Sequence, residues 1–380
     1  MNFNLPDETK MIQDTVRRFV DSELIPLEQK FPDRPNSADL PDDIHSTLVR
    51  KVEQLGLAAM DAPAEIGGAG LGLLDSCIVT EQVHRSTAGR GVFAMRFAPV
   101  LHELGTEEQK NKYLLPMVAG ELQGASAFSE PQAAGDLAGI KTTIEKTGDG
   151  WVINGSKCWI SYAKIADFIL VLTRLKGTER HDGLTWVIVE QGTPGCIIGR
   201  EQKMIHGQST YEVFFENCVV SDEQLLGGPG QGWGAGTSFL YTGRLGIAAR
   251  SLGIADRCLE LATDYAKLRH TFGKPLSSRQ AVQWMIADSA TELHAARLMV
   301  YDAAWRAQQG ENVVLQTAMV KSYATEMVSR VVDRAVQIHG AAGLSNETIL
   351  ERCYRDVRPM RIYEGSSEAM RSVVARHLLR

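Results

Sequence analysis

The chain has 380 residues, 44% of them hydrophobic and 23% charged, with a net charge of −6. A chain this long can bury a large core and hold two or three structural units, and its composition is that of an ordinary globular protein. The acidic balance argues against a nucleic-acid binder, and no basic run strong enough for a membrane surface stands out. Six cysteines, Cys77, Cys158, Cys196, Cys218, Cys258 and Cys353, are scattered without a C-x-x-C pair. That pattern suits free thiols in a reducing compartment rather than disulfides or zinc. The opening Met1-Asn-Phe-Asn-Leu-Pro-Asp-Glu8 has no basic or apolar leader region. No apolar run approaches the roughly 20 residues of a membrane span. A soluble cytoplasmic protein is expected.

Residues 1–122 read as a helical domain. Asp7 caps a helix whose Met11, Ile12, Val16, Phe19 and Val20 share one face, and Pro26 ends it. Asp42 opens a second helix with Ile44, Leu48, Val52 and Leu55 inward, stopped by Gly56. The glycine-rich turn Ile66–Gly72 precedes a third helix around Leu74 to Ser86. More helix follows between Pro99 and Glu121, where Thr106-Glu-Glu-Gln109 has the form of a capping box.

The pattern changes over residues 123–229. Trp151–Ile153, Phe168–Thr173, Leu184–Glu190 and Tyr211–Phe215 are short β-branched or aromatic runs. They are bounded by turn signals at Thr147–Gly150, Asn154-Gly155 and Gly192–Gly195. No helix-length pattern is interleaved, so a small antiparallel sheet or barrel is expected.

Long helices return over residues 230–380. Gln280–Gln308 and Val313–Ile338 carry apolar positions at 3.6-residue spacing (Met285, Leu293, Leu298, Val300; Met319, Met327, Val331, Val332), with Gly310 between them. Long helices with short joins predict an antiparallel bundle. The fold class is mainly α with a central β domain: N-terminal helical domain, small β-barrel, C-terminal four-helix bundle.

Familiar chemical motifs are missing. Gly230-Gln-Gly-Trp-Gly-Ala235 fits a loose dinucleotide fingerprint, but no parallel βαβ unit follows it. There is no P-loop, no H-E-x-x-H or other paired histidine spacing for a metal, and no G-x-S-x-G elbow.

What remains is a set of separated clusters suited to a flat, phosphate-bearing cofactor. Trp159-Ile160-Ser161 offers an aromatic plane beside a hydroxyl. Arg269–Leu276 offers fixed positive charge for a pyrophosphate. Gln337–Gly343 ends a long helix in a glycine-rich turn. Taken singly, each is better read as a core tryptophan, a surface arginine or a helix stop. Behind them lies Arg361-Ile-Tyr-Glu-Gly-Ser-Ser-Glu368, a bend entering a last helix, where Ser366 and Ser367 can cap and Glu368 could complete a capping box. Glu364 there is a candidate general base if it is partly desolvated. The octapeptide alone better suits a solvated helix-start carboxylate.

On these residues the chain resembles the acyl-CoA dehydrogenases from end to end. The matching stretches are Ser129-Glu-Pro131 with Asp136, Asn154-Gly-Ser-Lys157, Trp159-Ile-Ser161, Arg244, Arg269–Leu276, Gln337-x-x-Gly340, Arg355-Asp356 and Ile362-Tyr-Glu-Gly365. The resemblance implies a homotetramer with one FAD per subunit, an acyl-CoA substrate and an electron-transferring flavoprotein as electron acceptor. It places Phe128, Ser129, Trp159, Ile160 and Ser161 along the isoalloxazine. Arg269, Thr271, Phe272 and Gln280 would bind FAD from the neighbouring subunit, as would the backbone of Gln337, Ile338, His339, Gly340 and Ala341. Ser366 and Glu368 match positions beside the adenosine. Gly135, Tyr241, Arg244, Tyr363 and Gly365 fall at substrate positions.

The resemblance implies that Glu364 is the base that removes the α-proton of the thioester while a hydride leaves the β-carbon for the flavin. The resemblance also implies that its backbone N–H and a flavin hydroxyl polarise the carbonyl.

The departures concern the substrate. Gly135 stands where relatives carry a serine near CoA, Tyr241 where many carry Asp, and Gln337–Leu344 departs from the usual Q-x-x-G-G-x-G-Y. Arg96 falls in the helical region that bounds the acyl tail in relatives. It reads either as a partner for a polar acyl group or as a structurally paired arginine. An enoyl-CoA reductase, an acyl-CoA oxidase or flavin monooxygenase, and an inert FAD-binding homologue are alternatives on the same fold.

Overall fold

The computed structural model describes residues 4–32, 39–89, 91–93, 96–148 and 150–379, apart from the side chains of 235–240. In chain order, α1 (Asp7–Phe19), α2 (Ile25–Lys30), α3 (Asp42–Gln54) and α4 (Leu73–Val83) precede the short α5 (Pro99–Leu104), α6 (Glu107–Gln109) and α7 (Leu115–Ala119). Strands follow: β1 (Gly124–Ala127), β2 (Thr143–Thr147), β3 (Gly150–Ser161), β4 (Phe168–Leu175), β5 (Leu184–Glu190), β6 (Cys196–Lys203), β7 (Ser209–Val220) and β8 (Leu225–Leu226). Then α8 (Gly232–Leu268) leads through a hairpin of β9 (His270–Thr271) and β10 (Lys274–Pro275) into α9 (Gln280–Gln308). The chain finishes with α10 (Val314–His339), α11 (Leu350–Val357) and α12 (Ser367–Leu378). Its contacts divide it into two compact units, one of Met1–Asp61, Ala69–Ala94 and Tyr241–Arg380, the other of Ala62–Gly68 and Met95–Leu240.

The first unit is helical. Its larger core joins Leu252 and Cys258 of α8, Leu293 and Val300 of α9, Met327 and Val331 of α10, and Leu350 and Val357 of α11. A second core gathers Val16, Phe19, Leu48, Val52, Val79 and Val83 around α1, α3 and α4. The bundle helices form because apolar side chains recur at helical spacing and bury together, each side chain worth about 1.5–3 kcal/mol.

Several sequence readings need correction here. Asp7 is the first helical residue of α1, after Pro6 at the cap position. Pro26 does not end the helix. A π-turn at Val20–Leu24 precedes it and the chain continues as α2. A proline lacks the N–H and crowds the carbonyl four residues back, and a wider turn absorbs that conflict. Met11 is 70% exposed, and Leu55, Leu298 and Met319 also face outward. An apolar stripe read at 3.6 spacing is wider than the face each helix buries. Both bundle helices otherwise match the expected spans, and Gly310 adopts φ +78 between them.

The second unit holds an eight-stranded sheet in the order β6-β7-β3-β2-β4-β5-β8, with β1 also paired to β4. The antiparallel expectation holds for most pairs, but β1 and β2 both run parallel to β4. Ile144, Ile153, Val171, Val187, Val213 and Phe215 form its core. Thr106 and Gln109 make the expected capping box, with Gln109 N donating to the Thr106 hydroxyl at 3.2 Å and Thr106 N to Gln109 Oε1 at 2.9 Å. A π-turn again precedes a proline, at Lys110–Leu114 before Pro116. Asn154-Gly155 is not a turn but lies inside β3, where the register with β7 shifts between Ile153 and Gly155. Gly155 is required there, since a Cβ on it would stand 2.6 Å from Thr142 Cα. The turn expected at Thr147–Gly150 includes Asp149, which lies outside the described residues.

Candidate active site

In the first unit, the chain from α11 to α12 folds into a short left-handed bend. Glu364 has φ +55 and Gly365 φ +92. Positive φ is uncommon for a residue with a side chain, and such strain concentrates at functional sites. The bend is held from several sides. Ser366 caps α12, its hydroxyl accepting from Ala369 N at 3.2 Å. The third helical residue is therefore Ala369, so Glu368 makes no capping box, and it is exposed. The Ser367 hydroxyl does not cap but donates to Glu326 Oε1 of α10 at 2.7 Å. Arg361 Nη2 lies 2.8 Å from the other Glu326 oxygen.

Glu364 itself is half-buried, and its Oε2 is buried without a hydrogen-bond partner. Its carboxylate rests on Gly243 of α8, where a Cβ would come within 3.0 Å of Oε2. Arg244 Nε donates to Glu364 O at 3.4 Å, and Lys321 Nζ of α10 donates to Gly365 O at 2.5 Å. Burial raises the Glu364 carboxyl above the usual carboxylate range, opposed by the charges of Arg244 and Lys321. Burial also lowers Arg244, opposed by Glu364 and Tyr241, and pulls Lys321 down to about 8. Of the sequence candidates, this nest joins Glu364, Gly365, Arg244 and Tyr241, while Tyr363 packs on the larger helical core.

Gly243 and Lys321 were not among the candidates. Lys321 left a signal. It is the one charged member of the buried row Thr317, Lys321, Ala324, Thr325, Val328 on α10.

The remaining candidates of this unit lie at the far ends of the helices. Arg269 and Phe272 are exposed on the β9–β10 hairpin, with Phe272 at φ +50 and Arg279 stacked 5.8 Å over its ring. Thr271 is half-buried, its carbonyl accepting from Arg279, and Gln280 starts α9 exposed. At the end of α10, Gln337, Gly340 and Ala341 are exposed, while the side chains of Ile338 and His339 are buried and leave only backbone to a ligand. His339 stacks on Tyr265 with ring centroids 4.2 Å apart.

In the second unit, a second register shift in β3, between Lys157 and Ile160, puts Trp159 at φ +58 and leaves it 48% exposed. A bulge re-aims a side chain in this way. Cys158 N donates to Ser129 O at 2.9 Å, tying the bulge to the segment after β1. Below them Lys157 and Glu130, both 0% exposed, pair at 2.8 Å, and Lys157 also donates to Phe128 O at 3.1 Å. Burial would raise Glu130, but the Lys157 charge holds it below its usual range; burial pushes Lys157 down to about 8. Phe128 lies edge-on to the buried Trp186 at 4.9 Å.

Phe128, Ser129, Trp159 and Ser161 are thus presented together, whereas the Ile160 side chain is in the core and can offer only backbone. Gly135 is exposed, with nothing within 4 Å of a Cβ. Arg96 packs its guanidinium on Gly120 at the end of α7, where a Cβ would stand 2.7 Å from Cζ. A cation at a helix C-terminus fits its structural reading.

The chain matches the acyl-CoA dehydrogenase N-terminal domain over residues 6–121, the middle domain over 125–218 and the C-terminal domain over 230–379. It is 36% identical to the short-chain specific acyl-CoA dehydrogenase of Rattus norvegicus mitochondria, over 99% of this chain and 91% of that protein. It superposes on butyryl-CoA dehydrogenase from Megasphaera elsdenii with a TM-score of 0.88 and 31% identity, covering 100% of both chains. The FAD complex of PigA superposes with a TM-score of 0.90 and 27% identity, covering 100% of this chain and 99% of that one. The residues fit FAD: an exposed indole on a strained bulge suits a flat ring system, and an exposed arginine suits a pyrophosphate. This chain belongs to the acyl-CoA dehydrogenase family of FAD-binding oxidoreductases.

Proposed function

We propose that the protein dehydrogenates an acyl-CoA thioester across its α and β carbons, with Glu364 as the base. The observation that carries this reading is the buried, unpartnered Glu364 Oε2 on a left-handed bend between two cations. A carboxylate without a donor on one oxygen is free to accept a carbon-bound proton, and partial desolvation strengthens it as a base. Glu364 takes the α-proton and holds it on its carboxyl group, and the α carbon's electron pair forms the new double bond as hydride leaves the β carbon. Phe128, Ser129, Trp159, Ser161 and the backbone of Ile160 would hold FAD, which would supply the two-electron acceptor for that hydride. Among the described residues the Glu364 N–H donates no hydrogen bond, which leaves it for the thioester oxygen. Tyr241, Tyr363 and Gly365 border the thioester, and Gly135 lies toward CoA. The names of the rat and Megasphaera relatives favour a short acyl chain.

We further propose a homotetramer. Arg244 and Arg269 are separated by about 37 Å along α8 at 1.5 Å per residue. That is longer than an extended dinucleotide, so Arg269, Thr271, Phe272 and Gln280, with Gln337–Ala341, serve the cofactor of another subunit. Ser366 and Glu368 stand on the adenosine side. The outward Leu298, Trp284 and Trp305 of α9 supply an apolar face for association. An electron-transferring flavoprotein reoxidises the enzyme. The unpaired state of all six cysteines suits the reducing cytoplasm.

Anaerobic titration of the yellow protein with a panel of acyl-CoAs tests the reaction: one class bleaches the flavin, and Glu364→Gln stays yellow with the same thioester. Bleaching of Glu364→Gln at the wild-type rate would remove Glu364 as base.

A further inference from the structure

Lys321 is 0% exposed in the middle of a helical core, an expensive place for an ammonium group. What it touches explains its presence. Nζ donates to Gly365 O at 2.5 Å, the carbonyl that directly follows the candidate base. Five residues further along α10, Glu326 takes the Ser367 hydroxyl at 2.7 Å and Arg361 at 2.8 Å. One helix therefore grips the bend on both sides of Glu364.

We propose that Lys321 is a positioning residue for the proton-abstracting carboxylate: its Nζ pins the left-handed Glu364–Gly365 backbone, and its charge compensates the buried Glu364. The inference rests on Glu364 acting as the base. The charged and titratable groups around the pair are Arg244 and Tyr241 on α8, Glu326 on α10, Arg361 before the bend and Glu368 on α12. Of these, Arg244 acts on Glu364 together with Lys321. Arg244 binds its backbone oxygen and Lys321 that of Gly365, so each fixes one end of the strained dipeptide. Burial pulls Lys321 itself down to about 8, and the Glu364 charge opposes that shift.

The test compares FAD-loaded wild type, Lys321→Met, Lys321→Arg and Glu364→Gln. In Lys321→Met, loss of a facing cation moves the acid limb of kcat/KM upward by about one pH unit, a roughly tenfold loss below the limb and little above it. Lys321→Arg keeps the charge and holds the limb at its wild-type place. Thermal unfolding gives a readout independent of turnover. Lys321→Met lowers Tm, whereas adding Lys321→Met to Glu364→Gln costs less, because the amide leaves no buried anion to compensate and only the contact to Gly365 O is lost. An unshifted limb in Lys321→Met, or additive Tm losses, overturns the proposal. If Lys321→Met fails to hold FAD, Lys321→Arg decides: a limb that moves with the charge retained also overturns it. Turnover by Glu364→Gln is a separate outcome, which removes the base rather than its support.

Discussion

Gly243 leaves the space that the Glu364 carboxylate occupies: a Cβ built there would stand 3.0 Å from Oε2 and 3.3 Å from Cδ. The helix and the bend are both fixed, so the carboxylate must give by a few tenths of an ångström. Gly243→Ala should fold and stay yellow, yet lose about tenfold in turnover, since misplacing a reacting group by one ångström costs on the order of a hundredfold. Wild-type turnover would show that the carboxylate swings freely in the working enzyme.

The Lys157–Glu130 pair offers a second test, of what presents Phe128 and Ser129. Glu130 accepts from Lys141 N at 2.5 Å and Thr142 N at 3.0 Å as well as from Lys157. Lys157→Met leaves that carboxylate buried and uncompensated, a loss of about 3–5 kcal/mol. Denaturant unfolding should show it, with FAD released earlier than in wild type. The double variant with Glu130→Gln should recover part of the loss.

Burial of His339 predicts an acid-sensitive bundle. Its imidazole is held below the ordinary value of 6.5 by desolvation, opposed by its hydrogen bond to Ala335 O. The unfolded chain binds a proton below that value while the folded chain resists it, so stability falls as pH drops through about 6.5 toward the depressed folded value. Tm followed against pH should decline there, and His339→Gln should flatten that part of the curve.

Phe272 is 97% exposed at the tip of the β9–β10 hairpin, so its removal costs the isolated subunit almost nothing. Phe272→Ala should unfold at the wild-type temperature within one subunit yet self-associate more weakly and retain less FAD. Sedimentation and the flavin-to-protein absorbance ratio measure both. Unchanged self-association with full FAD would place the hairpin outside the subunit contact.

Some of this was readable in the sequence because it rests on local signals. The capping box at Thr106–Gln109, the limits of α9 and the helix stop at Gly310 follow from short-range patterns. The site motifs were equally visible, since Trp159, Arg269 and Glu364 lie in unbroken stretches. What failed was local inference across irregular backbone. Asn154-Gly155 has the composition of a turn, but sheet pairing on both sides kept it in β3. Pro26 has the composition of a stop, but a π-turn carried the helix through it.

The sequence by itself determined the helix–sheet–helix order, because periodicity is a property of the linear chain, and its motifs carried the family resemblance and singled out Glu364 as the candidate carboxylate. Only the tertiary structure decided how that carboxylate is set. The Gly243-Arg244 pair, Lys321 and Glu364 are far apart in the chain, and packing α8 and α10 around the last bend brings them together. The same packing makes the Lys321 charge matter, since an ammonium acts strongly on a carboxylate only where both have lost their water.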